Sequence, residues 1–182
     1  MKITPLSIPD VLLIEPCVFE DERGFFFESF REDIFRKETS LKVAFVQDNH
    51  SKSSQGVLRG LHYQLTPYSQ GKLVRVIQGE VFDVAVDLRK SSPTFGKHIT
   101  QILSEKNKKQ LYIPPGFAHG FLTLSNSSDF FYKTTQYYQP QSERCIVWDD
   151  KILDIDWPKK IKIQISIKDS LGKIFSESEL FN

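Results

Sequence analysis

Cysteine is scarce in this chain: Cys17 and Cys145 are the only two, far apart and without metal-ligand spacing. A disulfide-dense framework is therefore excluded. A single Cys17–Cys145 pairing stays open, but two thiols in a chain this long read more simply as reduced and cytoplasmic. An excess of either charge is also missing. Lys and Arg total 24 against 23 Asp and Glu, a net charge of +1. That balance argues against a nucleic-acid-binding surface, which carries a basic excess, and leaves room for a local basic site for a small anion. No apolar run approaches a membrane span, and Met1 to Pro5 lacks an apolar signal core, so no membrane partner is expected. No repeat, low-complexity tract or Ser/Gly-rich linker marks a boundary. Residues 1–182 are read as one unit, long enough to bury one sizeable core.

Aromatic residues are plentiful, at 13% with 15 Phe, which calls for an aromatic core or ligand pocket. Short stretches rich in Val, Ile, Phe and Tyr recur between Gly, Pro, Asn and Ser. Val81 to Leu88 alternates clearly and predicts a half-buried strand. Leu73 to Ile77 precedes it, and Gln78-Gly79 between the two suits a tight hairpin. Further strands are expected at 11–19, 42–47, 57–64, 97–103, 120–124, 130–138 and 161–167. One helix signal stands out, a capping box beginning at Ser29-Phe30-Arg31-Glu32. Many short strands with few helices predict an all-β sandwich or barrel, whose interior would be lined by alternate strand residues.

Two of the four histidines lie in unusual settings. His62, in Arg59-Gly60-Leu61-His62-Tyr63-Gln64, shares a strand face with Gly60 and Gln64, flanked by Arg59. A hydrogen-bonded core histidine would explain that segment equally well. His119 follows the rigid turn Pro114-Pro115-Gly116, where a purely structural turn is the commoner explanation. The spacing Pro114, Gly116, His119 resembles the second motif of the cupin barrels. A metal-binding cupin would also need a His-x-His pair and a Glu, whereas here the pair reads His62-x-Gln64 and Lys72 follows. An ammonium opposes a divalent cation, so the cupin shape is expected and its metal is not. A metal-free cavity with these groups suits proton transfer at carbon beside a ketone. Histidine takes the proton, Lys72 stabilises the enolate oxygen, and a phenol such as Tyr132 or Tyr138 returns a proton from the other face.

Seven segments in order resemble the dTDP-4-dehydrorhamnose 3,5-epimerase family: DERGFFFESF from Asp21, VQDNHSKS from Val46, GVLRGLHYQ from Gly56, QGKLVRVIQGEVFDVAVDLR from Gln70, YIPPGFAHGF from Tyr112, YKTTQYY from Tyr132 and IDWP from Ile155. The resemblance implies a homodimeric jelly-roll cupin, a few short helices included, acting without cofactor on a dTDP-linked 4-keto-6-deoxyhexose. It implies His62 as base, Asp169 as the carboxylate orienting it, Tyr132 as acid and Lys72 as enolate stabiliser. It places Arg23, Glu28, Gln47, Asn49 and Arg59 at the nucleotide and diphosphate, and Tyr138 on thymine. His119, Glu143 and Lys168 complete the substrate contacts. The chain departs from the family at Arg144-Cys145, where Gly is common, and at Asp149-Asp150-Lys151, where Asn-Asp-Pro is frequent. Both departures look peripheral to the proton chemistry. The competing readings are an epimerase inverting C3 or C5 alone, a sugar-binding cupin without turnover, and a metal-dependent oxygenase.

Overall fold

The apolar stretches become strands because β-branched and aromatic side chains suit a pleated surface, and the strands assemble into two sheets. In chain order the computed structural model, which describes residues 1–182, contains β1 (Lys2–Pro5), β2 (Leu12–Glu15), β3 (Phe19–Asp21), β4 (Gly24–Phe26), α1 (Glu32–Thr39), β5 (Gln47–Ser54), β6 (Val57–Gln64), β7 (Lys72–Gln78) and β8 (Glu80–Asp87). There follow β9 (His98–Ser104), β10 (Gln110–Ile113), β11 (Phe117–Thr123), β12 (Ser127–Thr134), β13 (Glu143–Cys145), β14 (Gln164–Ile165) and α2 (Ile167–Ser170). The first sheet runs β1-β2-β10-β7-β12-β5 and the second β13-β6-β11-β8-β9. β14 joins β6 in parallel, and β3 with β4 makes a separate hairpin. The expected all-β sandwich of the cupin type, with a few short helices, is what the chain forms.

Three apolar layers hold it. Between the sheets, Val74, Val76 and Phe130 of the first meet Val81, Ala85 and Phe121 of the second. The Phe121 and Phe130 rings stack with centroids 4.1 Å apart, and truncating such a buried ring to Ala typically costs about 3–5 kcal/mol. Phe35 of α1 covers Leu12, Ile14, Leu73 and Tyr112 on the outer face of the first sheet. The outer face of the second sheet lies under Ile146, Leu153, Trp157 and Phe175. Asp150 ties that cover together, accepting the backbone N–H groups of Ile152, Leu153 and Phe175.

Several local expectations change. β8 is buried on both faces rather than one, because the C-terminal third covers its outer side. Gln78-Gly79 is not a hairpin: β7 belongs to the first sheet and β8 to the second, so the chain changes sheets there. Gly79 takes φ 81°, and a Cβ would lie 2.1 Å from the Ser127 carbonyl oxygen, so only glycine fits that corner. The helix begins at Glu32 with Arg31 at its N-cap and no side-chain cap; Glu32 and Asp33 in the first turn complement the helix dipole instead. Residues 42–46 are not strand. The polar run Gln47–Ser54 is, because it pairs along its length with β12.

Candidate active site

One slip of register positions the site. β6 pairs with β11 so that His62 lies opposite His119, and Arg59 opposite Phe121, with a one-residue shift between. Gly60 sits at the shift with φ 129°, and a Cβ there would meet the Gly120 Cα at 2.5 Å. A bulge of this kind moves residues out of simple alternation. Arg59 and His62, three apart, therefore both face the interior, while Leu58 and Leu61 both join the outer apolar layer. Alternation alone would have sent Arg59 and His62 to opposite faces.

His62 Nε2 lies 2.7 Å from Asp169 Oδ1. Asp169 reaches it from α2, a single turn whose N-cap Ser166 accepts the Asp169 N–H. Backbone pairing of Lys173 with Cys145 and Val147 docks that segment beside β13, which pairs with β6. Burial pushes the Asp169 carboxyl up, yet the His62 hydrogen bond and charge, with the Gly60 N–H and Ser166, outweigh it and hold the group below the usual range. An ionised carboxylate only accepts, so Nε2 carries a hydrogen, and in the neutral ring the lone pair lies on Nδ1. His62 stays 30% exposed at its side chain and Asp169 only 6%. The pair is an oriented base open on one side.

Deeper in, His119 Nε2 lies 2.9 Å from Asp83 Oδ2, and Phe130 stacks on the imidazole. Burial keeps His119 neutral, opposed by Asp83 and helped by Lys72 and His62. Lys72 donates to the His62 carbonyl oxygen at 3.3 Å. Burial pulls its ammonium down to about 8, against the support of Asp83 and Glu143. Lys72 is thus a cation at neutral pH held in a mostly buried place.

From the first sheet comes Tyr132, opposite Asn49 and Val74. Burial raises its phenol, with Glu143 and Tyr138 adding to the effect and Arg59 opposing it, so the hydroxyl keeps its proton. Arg59 spans the gap between sheets, bonding Ser53 Oγ at 3.0 Å and the Lys52 carbonyl oxygen. Gln47 donates to Asn49 at 3.0 Å and accepts the Tyr138 N–H. Glu143 Oε2 accepts from both the Tyr138 hydroxyl at 2.7 Å and Lys168 Nζ at 2.5 Å, which ties the rim together. Tyr138 itself lies beyond the end of β12, so the strand expected over 130–138 stops short of it.

Arg23 and Glu28 stand apart. Arg23 pairs with Asp21 on the β3–β4 hairpin and Glu28 with Arg31, each within its own segment. Gln64 is a tether: its amide donates to the carbonyls of Tyr68 and Tyr137 and accepts from the Gln139 N–H, so it offers no free group to a cupin metal. Two residues escaped the sequence reading. Asp83 read only as the polar half of an alternating strand; its position opposite Phe121 on the interior face is set by strand pairing, which leaves no local signal. Cys145, taken as peripheral, lies directly opposite His62 across β13 and β6.

A two-sheet cupin-type sandwich whose interior joins an oriented histidine, a buried ammonium and a protonated phenol defines a class: an acid–base enzyme for proton transfer on a small polar substrate. The family model described as dTDP-4-dehydrorhamnose 3,5-epimerase matches residues 5–177, and the chain belongs to that family. It is 57% identical over 181 residues to the dTDP-4-dehydrorhamnose 3,5-epimerase of Shigella flexneri, covering 100% of this chain and 99% of the relative. It is 56% identical to that of Pseudomonas aeruginosa over the same shares. The crystal structure of dTDP-6-deoxy-D-glucose-3,5-epimerase from Legionella pneumophila, in complex with dTDP-4-keto-L-rhamnose, matches with a TM-score of 0.95 at 50% identity, covering 98% of this chain and 94% of that one. The activity is accordingly that of a 3,5-epimerase, an isomerase of dTDP-rhamnose biosynthesis.

Proposed function

We propose that His62 removes the protons at C3 and C5 of a dTDP-4-keto-6-deoxyhexose and that Tyr132 returns them from the opposite face. One observation carries this reading: the two groups come from different sheets, His62 from β6 and Tyr132 from β12. A sugar ring held between the sheets meets a base on one side and an acid on the other, which is what inversion requires. The C4 ketone acidifies both neighbouring C–H bonds, so the chemistry calls for no cofactor. His62 abstracts through Nδ1 while Asp169 steadies the imidazolium, and Lys72 faces the enolate oxygen, where its charge matters only once that oxygen becomes anionic.

Arg59 takes the diphosphate, its guanidinium being shaped for bidentate phosphate bonds. Gln47, already engaged by Tyr138, fixes Asn49 so that the Asn49 amide is free for a polar edge. Glu143, Lys168 and Tyr138 form the rim against which the base of the nucleotide lies. His119, with Nε2 held by Asp83, keeps only Nδ1 for the sugar.

Arg23 and Glu28 join this reading through a homodimer. Phe19, Phe25 and Phe26 of the β3–β4 hairpin are 62%, 59% and 66% exposed. Apolar surface concentrated in this way marks a contact with another protein surface, here a second copy bringing Arg23 and Glu28 to a nucleotide. Phe26→Glu should shift the mass measured by light scattering to that of one chain. No helix is long and apolar enough to cross a membrane, and a cytoplasmic location fits a nucleotide-sugar substrate.

Turnover in D₂O tests the chemistry. Product should gain about two mass units, with solvent deuterium at both C3 and C5, because each abstracted proton is replaced from solvent. Labelling at one carbon alone would sink the two-centre assignment. Tyr132→Phe should still exchange through His62 while inverting poorly; full inversion by that variant would remove Tyr132 as the acid.

A further inference from the structure

We propose that His62, Cys145 and Asp169 together form a binding site for a thiophilic divalent cation of the zinc type, and that its occupation switches the base off. A ring nitrogen of His62, the Cys145 sulfur and a carboxylate oxygen of Asp169 all lie within 4.8 Å of one another. The fold holds them there from three directions. His62 and Cys145 are cross-strand partners on β6 and β13, and Asp169 comes from α2, whose backbone is docked on β13. Imidazole, thiolate and carboxylate are zinc's protein ligands, and in a tetrahedral site with bonds of about 2.0–2.3 Å their donor atoms stand about 3.3–3.8 Å apart. Reaching that spacing means opening the 2.7 Å His62–Asp169 contact slightly and drawing the sulfur inward.

The charge around the cluster also suits a cation. Glu143 lies two residues from Cys145 on β13 and hence on the same strand face, adding a second carboxylate. Lys168 opposes it, but that ammonium is bonded to Glu143 and its side chain is 62% exposed. The sulfur selects the cation class, since calcium and magnesium favour all-oxygen shells. Coordination displaces the thiol proton to solvent, and the imidazole binds as the neutral ring. A water completes the four ligands. Once a ring nitrogen is bound to metal and Asp169 is turned toward the ion, His62 no longer has an oriented lone pair for the substrate. This inhibitory site is distinct in purpose from a cupin metal centre, which Gln64 and Lys72 disfavour. Its effect on turnover rests on the reading of His62 as the base; the binding itself does not.

The test uses wild type, Cys145→Ser and Cys145→Ala, with zinc as inhibitor and cobalt(II) as spectroscopic probe. Wild-type turnover should fall with added Zn²⁺ and recover with a chelator. Losing even an outer-shell partner typically costs about 10–100-fold in metal affinity, so both variants should shift half-inhibition upward by at least about tenfold with unchanged activity in the absence of metal. Co²⁺ bound to wild type should give a thiolate-to-cobalt charge-transfer band that both variants lack. Equal zinc sensitivity in all three proteins, or cobalt binding without the thiolate band, overturns the site. A thiolate band in wild type with turnover unaffected by saturating Zn²⁺ overturns the switch, while His62 as base stands or falls separately on solvent exchange by His62→Ala.

Discussion

His62 with Asp169 and His119 with Asp83 are chemically the same pair, at 2.7 and 2.9 Å, facing each other across neighbouring strands. Their surroundings differ. Asp83 is fully buried, His119 nearly so, and a phenyl ring covers the imidazole. Burial, opposed by Asp83, lowers the tendency of that ring to take up a proton. His62 keeps part of its ring open, and its carboxylate arrives from outside the sheet on a single turn of helix. The difference teaches that access, rather than the pair itself, separates a histidine–aspartate pair fit to act as a base from one that is not. The inner pair instead places a negative charge beside Lys72, where it supports the ammonium that the proposed mechanism sets against the enolate oxygen.

The largest effect that would break this comparison is the loss of the outer pair. His62→Ala should lower turnover by about 10²–10⁴-fold, the usual cost of a general base. Asp169→Ala should impair the same step, and the double variant should be little worse than the worse single one, because the two act as a unit. Solvent-exchange rates at C3 and C5 measure this; a full product of two independent losses would dissolve the pair.

A subtler test sharpens the inner pair's role. Lys72 is charged below its pKa of about 8, so turnover should fall as pH rises through that value. Asp83 supports the charged form, and Asp83→Asn should therefore move the alkaline limb of the kcat profile to lower pH. Asp169→Asn should depress the profile while leaving that limb where it is. An unmoved limb in Asp83→Asn would mean that the inner pair only packs.

The smallest effect is expected from a third pair, His50–Asp129, at 3.2 Å on the surface with the His50 side chain 52% exposed. Because the imidazole itself is half in solvent, although Asp129 is only 16% exposed, His50→Ala should leave kcat unchanged and alter stability by less than about 0.5 kcal/mol. Chemical denaturation and steady-state kinetics would show a larger effect if pairing alone conferred importance.

Much of this was legible along the chain. The strand at 57–64 begins and ends where its Val, Leu and Tyr pattern places it, and the β8 and β9 signals fall within a residue of the observed strands. β5 was missed because its inward residues are Gln47, Asn49, Ser51 and Ser53, an alternation in burial that hydrophobicity does not register. The Pro114-Pro115-Gly116 turn was visible, and Gly116 at φ 93° does launch β11 toward His119. Asp83 was visible as a residue but not as a neighbour, since its register against β11 is set by pairing rather than by its own strand.

The sequence by itself determined the all-β class, the position of the central strands, the family, and the chemical types available for catalysis. These depend on local periodicity and on motifs that survive as short strings. Only the tertiary structure decided which of those groups meet. The change of sheet at Gly79 put Lys72 and Asp83, eleven residues apart, on facing walls of one interior. The slip at Gly60 turned Arg59 inward with His62. Docking of the C-terminal segment brought Asp169 to a partner 107 residues away. Alternation records what one strand buries, whereas closure, register and docking are fixed by contacts between segments, and those carry no local period to read.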